Sequence, residues 1–195
     1  MVAGFHLIWT AYGWWLPNDR RGSSSHEIRE ATIAELGELH HGRKPVQPSG
    51  RDIREFYEQA QDVLKHRLLR FAEDEIRLIA ESFAQVIANR RYTCYACAIM
   101  PDHVHALIRK HRDHAETMIE NLQEASRARL IEAGRRAPTQ PVWGGRGWKV
   151  FLNLRDDFVR VVANIQNNPI KAGRPAQHWG FVKAYDGWMP GRYPN

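Results

Sequence analysis

Two histidines, His103 and His105, stand one residue apart inside the apolar stretch IMPDHVHALI, Ile99 to Ile108. Packing alone gives no reason for imidazoles there. On an extended strand, side chains at i and i+2 share a face roughly 6–7 Å apart. Both rings can therefore converge on one cation while Val104 points into the core. Two imidazoles leave a divalent metal free to take oxygen ligands and a phosphate. Further along, VVANIQNNPIKAG carries Asn164 and Asn168 four residues apart, on one face of a helix. His6 and His178 are further imidazoles whose place the sequence leaves open. The two cysteines, Cys94 and Cys97, lie three apart in a strand-like run. Strand alternation sets them on opposite faces, so neither a disulfide nor a shared metal is expected, and both are read as reduced thiols.

These side chains need elements to position them. Phe5, Leu7 and Trp9 alternate with His6, Ile8 and Thr10, the mark of a half-buried strand. The loop YGWWLPNDRRGSSS follows, broken by Pro, Asn, Asp and Gly. Residues 26–41 read as a weak helix with Ile28, Leu36 and Leu39 on one side. GRKPVQPSG is a loop. Residues 51–71 read as a helix with Ile53, Phe56, Tyr57, Ala60, Leu64 and Leu68 on its apolar face. A helix over 74–90 repeats the pattern. YTCYACAIM and HVHALIRK are strands joined at Pro101–Asp102, because Pro presets the turn and Asp bonds within it. A helix over 114–133, a strand from Trp148 to Leu152, and a helix from about Asp156 to Asn168, stopped by Pro169, follow. The order implies an α+β fold of the ferredoxin-like β-α-β-β-α-β kind. A helical insertion over residues 20–73 follows the first strand, an extra C-terminal helix closes the order, and residues 1–195 form one domain. The sheet is expected to be antiparallel with helices packed on one face.

Composition narrows the function classes. The net charge of +6 over 195 residues leans toward a polyanionic partner. No apolar run approaches the roughly 18 residues of a membrane helix. The start MVAGFHLIWTAY lacks the basic opening of a signal peptide. A cytoplasmic protein with no membrane partner is expected. The loop from Tyr12 to Arg21 mixes Trp14 and Trp15 with Arg20 and Arg21, a pairing suited to unstacked bases and phosphates. The same tryptophans could instead anchor the insertion to the core. Arg127, Arg129, Arg135 and Arg136, then Arg146 and Lys149 between flexible glycines, then Lys171 and Arg174, form a further set of candidate phosphate contacts.

The segments AYGWWLPNDRRGSSS, MPDHVHALI, VVANIQNNPIKAG and QHWGFVKAY, in that family's order, resemble the HUH single-tyrosine transposases, most of all the REP-associated branch. The resemblance implies a divalent metal, Mg²⁺ or Mn²⁺, on His103 and His105, with the Asn168 side chain completing the site. It implies single-stranded or hairpin DNA as partner, cut and rejoined through a tyrosine on the last helix, by a monomer or homodimer. Here the chain departs from the family. Asn164 stands where relatives keep that tyrosine, and a carboxamide is a poor nucleophile. Three accounts stay open: a silenced protein that still binds DNA, a relocated nucleophile with Tyr185 or Tyr12 as candidates, or metal-activated water.

Overall fold

The computed structural model describes residues 1–191 apart from Ser24 and Arg43, so single positions of the two early loops lie outside the described residues. Its elements are β1 (Gly4–Thr10), α1 (Ala31–Ala34), α2 (Gly50–Val63), α3 (Glu73–Arg90), β2 (Cys94–Ile99), β3 (His103–Arg109), α4 (Ala115–Glu132), β4 (Trp148–Leu152) and α5 (Arg155–Lys171). The sheet order is β2-β3-β1-β4 with every neighbouring pair antiparallel. This is the ferredoxin-like arrangement expected from the period changes.

Strand alternation sorts β1 into two faces. Phe5, Leu7 and Trp9 are buried with Ile79, Phe83, Met118 and Leu122, which places α3 and α4 over that face. His6, Ile8 and Thr10 look the other way. There Tyr95, Ala98, Leu107 and Leu152 pack with Phe158, Val161 and Ile165 of α5. The helices therefore lie on both faces, not one. The buried stripe of α5 needed a second apolar surface, and the residues of the sheet that point away from α3 and α4 supply it. α5 packs over β2 and β3. Gly4 marks a close approach, since a Cβ there would lie 2.5 Å from the Phe158 ring.

Several local expectations are corrected. Residues 26–41 hold only the single turn of α1. With no N-cap side chain and little apolar surface to bury, a longer helix has nothing to stabilise it. α2 starts with a Ser49–Asp52 capping box but ends at Val63, where Leu64 turns extended. Residues beyond it instead reach back to the body, with Leu69 N–H donating to Tyr12 O at 3.1 Å and Phe71 N–H to Pro101 O at 2.7 Å. Pro169 does not stop α5, which runs on to Lys171 with Pro169 buried in its last turn. Cys94 and Cys97 do not face opposite ways. A register shift between Cys94 and Ala96 inserts an extra residue, and both cysteines join the α3–α4 side of the core. They are free and buried. Burial pushes the Cys94 thiol up to about 12 and Cys97 well above its usual value, the nearby Cys94 adding to the latter.

The two sheet edges differ. Along β2 the chain after α5 lies as a strap. The Gln177 amide accepts from Ile99 N–H at 2.9 Å and donates to Ile99 O at 2.8 Å, and Lys183 N–H donates to Cys94 O at 2.8 Å. β4, at the other edge, carries exposed Trp148, Val150 and Phe151.

Candidate metal centre and its surroundings

The β2–β3 hairpin turns at Pro101–Asp102, closed by Met100 N–H to His103 O at 2.8 Å. The turn sets His103 at the start of a central strand, and alternation sends His105 to the same face. Their rings stand 5.0 Å apart, centre to centre, and nearly perpendicular. Each ring has its Nδ1 occupied. Asp102 Oδ1 lies 2.7 Å from His103 Nδ1, and His6 Nε2 lies 2.9 Å from His105 Nδ1. With a proton on each of those Nδ1 atoms, both Nε2 atoms keep a free lone pair. Second partners of this kind fix ring orientation and ligand basicity at metal sites.

Electrostatics favours neutral rings at His6 and His105. Burial pushes His6 down to about 4. Burial, then the neighbouring His103 and His6, hold His105 well below its usual value. For Asp102, burial raises the carboxyl, but the hydrogen bond and charge of His103 with the charge of Arg70 outweigh it and leave it lowered. Metal ligation requires neutral imidazole, so the donor set fits a divalent ion that takes its remaining ligands from oxygen. Among the described residues no group of three or more His, Cys, Asp and Glu side chains is placed to hold a metal.

The loop after β1 rises beside this pair. Trp15 sits at φ 56°, is 38% exposed, and its ring centre lies 6.3 Å from that of His103. A bulky residue in the left-handed region is strained, and a buried network holds it there. Tyr57 Oη donates to Asp19 Oδ2 at 2.5 Å and accepts from Trp15 N–H at 2.7 Å. Arg21 pairs with Asp19 at 2.6 Å and stacks over Trp15, its guanidinium carbon 3.8 Å from the ring centre. For Arg21, burial lowers the pKa, and the hydrogen bonds and charges of Asp19 and Tyr57 together more than restore it. Trp14 is an anchor: its Nε1 donates to Leu69 O at 2.7 Å and its ring packs on Tyr57. Arg20 is exposed.

The other sequence candidates lie further off. α5 passes Gly4 and Arg109 at Phe158. A rise of 1.5 Å per residue brings Asn164 about 9 Å and Asn168 about 15 Å further along it. His105 is four residues back from Arg109 on β3, about 13 Å. Asn168 is half-buried beside the buried stripe, and Asn164 is exposed. The chain beyond α5 meets Ile99 at Gln177. Tyr185 stacks on Phe158 at 4.9 Å and its hydroxyl donates to Trp188 O at 3.1 Å. Tyr12 turns toward His66, ring centres 5.8 Å apart. Burial raises both phenols. Arg127 is exposed and donates to Pro138 O. Arg129, Arg135 and Arg136 pair with Glu81, Asp74 and Glu75, and Arg174 pairs with Glu73. Lys149 lies opposite Leu7, on the face away from the histidines, and pairs with Glu116. Arg146, Lys171 and His178 are exposed.

Asp102, Arg70 and the Asp19–Tyr57–Arg21 network were missed by sequence reasoning. For Asp102 a signal existed, a carboxylate one residue before an imidazole in PDH. For Asp19 and Tyr57, 38 residues apart, none did.

The fold is a four-stranded antiparallel sheet of ferredoxin-like order that carries paired imidazoles on a central strand. The family model described as "Transposase IS200 like" matches residues 62–151, which hold Asp102, His103 and His105 but stop short of α5. Over those residues the chain is similar to the IS200-like transposase family. Among solved structures it is similar to a REP-associated tyrosine transposase bound to a REP hairpin, with 18% identity and a TM-score of 0.45 over 56% of this chain and 64% of that one. The chain thus spans less than two thirds of that protein. It is also similar to a putative transposase from Deinococcus radiodurans R1, with 14% identity and a TM-score of 0.36 over 84% of this chain and 91% of that one. No curated protein matches.

Proposed function

We propose that this protein engages a phosphate of single-stranded or hairpin DNA at a divalent metal, Mg²⁺ or Mn²⁺, held by His103, His105 and the Asn168 carboxamide. The observation that carries the reading is the pair of imidazoles side by side on one face of the sheet, each with its Nδ1 taken by a neighbouring side chain. When bound, the ion polarises the phosphate as a Lewis acid. Asp102 and His6 keep the rings aimed, and Trp15 with Arg21 offers a stacking surface and a cation beside His103.

Cleavage with rejoining needs a nucleophile, and Asn164 occupies its family position. Tyr12 and Tyr185 are poorly suited replacements. Burial holds both phenols in the neutral form, and the Tyr185 hydroxyl is committed to Trp188 at the end of the sheet where Phe158 meets Gly4. That end is about 20 Å along β3 from His103. Asn164 therefore favours a second reading, a DNA-binding member of the family without strand transfer. A 5′-labelled hairpin incubated with protein and Mn²⁺ separates the cases on a denaturing gel. A covalent adduct supports strand transfer, retention on a native gel without cleavage supports the silenced reading, and free cleaved product supports water as nucleophile. Absence of binding at low salt refutes the DNA assignment altogether.

A further inference from the structure

We propose that the open β1–β4 half of the histidine face binds an unstacked base of single-stranded nucleic acid, with Trp148 as its stacking partner. The proposal rests on the DNA reading above and names where a base next to the held phosphate goes.

Cross-strand register lays the face out in rows. Ala98, His105, Ile8 and Trp148 form one row across all four strands, and Leu107, His6 and Val150 span three strands in the next. α5 covers the β2 and β3 ends of these rows. Over β1 and β4 the face is open: Trp148 is 47% and Val150 39% exposed, whereas Leu152, next on the same face, is 3% exposed. Two strand spacings separate Trp148 from His105, about 10 Å. An indole, an isoleucine and a valine thus form an apolar floor that runs without a break from the candidate metal ligands.

A base is the occupant this floor suits. The indole face accepts any base by stacking. Arg146, exposed and just before Trp148, supplies a cation for the backbone, in a chain of net charge +6. Gly145 and Gly147 flank it at φ 127° and 75°, and a Cβ on Gly147 would lie 2.7 Å from Ile8 O. The chain therefore turns tightly onto β4, with exposed Arg146 between the two glycines. Lys149 points to the other face, so it does not occupy the site. A second copy fits less well, because β4 has five residues. A ladder of that length, about 17 Å long and one strand spacing of about 5 Å wide, is a strip on the order of 100 Å², small beside the roughly 1,200–2,000 Å² buried by stable interfaces.

The probe is a fluorescein-labelled hairpin with a ten-nucleotide single-stranded extension, read by anisotropy in EDTA, beside the blunt hairpin alone. Trp148→Ala is expected to weaken binding of the extended probe by about 5- to 100-fold, the range of one lost stacking contact. Trp148→Phe should stay within a few-fold of wild type, and the blunt hairpin should not respond to either change. Equal binding of the extended probe by wild type and Trp148→Ala overturns this proposal and leaves the DNA reading standing. No binding of either probe by the wild type overturns both. A dimeric wild type made monomeric by Trp148→Ala, with binding per protomer unchanged, assigns the face to a second copy and overturns the proposal. Independently of folding effects, 5-iododeoxyuridine in the extension should photocrosslink to the peptide bearing Trp148, and crosslinks confined to other peptides count against it.

Discussion

Replacing Tyr57 by Phe tests whether a buried polar network holds the loop beside the histidines. Tyr57 is 4% exposed and Asp19 is fully buried. The substitution keeps the ring against Trp14 and removes one oxygen. That oxygen donates to Asp19, accepts from Trp15 N–H at 2.7 Å and accepts from Arg21 at 3.2 Å. Asp19 keeps Arg21, whose backbone N–H and guanidinium both donate to it. Trp15 N–H loses its partner in a place water reaches poorly, and an orphaned buried group costs about 1–3 kcal/mol. For a chain of this size each kcal/mol moves the melting temperature by roughly 2–4 °C. A loss of about 2 kcal/mol therefore lowers Tm by about 4–8 °C. Were the Asp19–Arg21–Tyr57 group an ordinary surface ion pair, the change would stay under about 1 kcal/mol. Calorimetry or circular dichroism at neutral pH distinguishes the two. A Tm within about 1 °C of wild type would refute the claim that this network is buried and cooperative.

Three further outcomes follow from the same geometry. Asn164→Tyr should gain covalent adduct formation with a hairpin and Mn²⁺, reduced on the order of a hundredfold from an optimal site if the phenol is misplaced by about 1 Å; a variant as inert as wild type, with the metal bound, sinks the positional argument. Mn²⁺ at about 100 times its Kd should stabilise the protein by about 2.7 kcal/mol, and His105→Ala should abolish that shift in a thermal melt; an equal shift in the variant places the metal elsewhere. In EDTA, acid should destabilise the fold through His6. Its folded pKa of about 4 lies below the unfolded 6.5, so the unfolded chain binds more protons between those values and stability rises with pH across that window. His6 alone contributes on the order of 3 kcal/mol, present above pH 6.5 and lost by pH 4. Urea midpoints that stay constant from pH 7 to 4.5 contradict the buried neutral imidazole.

Much of the frame was legible because period is a local property. The alternation of Phe5, Leu7 and Trp9, the two strands around Pro101–Asp102, and Trp148 to Leu152 each announce themselves within a few residues. The side-by-side placement of His103 and His105 follows from the same rule. What was hidden depends on partners distant in sequence. The bulge that turns Cys94 to the side of Cys97 exists through pairing with β3. Tyr57 reads as one more apolar-face residue of a helix, and only the folded loop brings Asp19 to it. Pro169 reads as a terminator, yet burial against the sheet carries α5 past it. Lys149 reads as part of a basic approach, whereas strand parity sends it to Glu116.

The Gln177 clasp on Ile99 gives the sheet a direction of growth. Edge strands invite further strands, and a sheet with two bare edges can propagate without limit. Here the strap after α5 bonds to the rim of β2 at Cys94 and Ile99, and among the described residues β4 is the bare edge. Strand addition can happen once per molecule, so two native copies joined edge to edge would form a closed pair with no free end. Cutting the chain before Arg174 would unseal β2 and convert a self-terminating particle into a polymerising one.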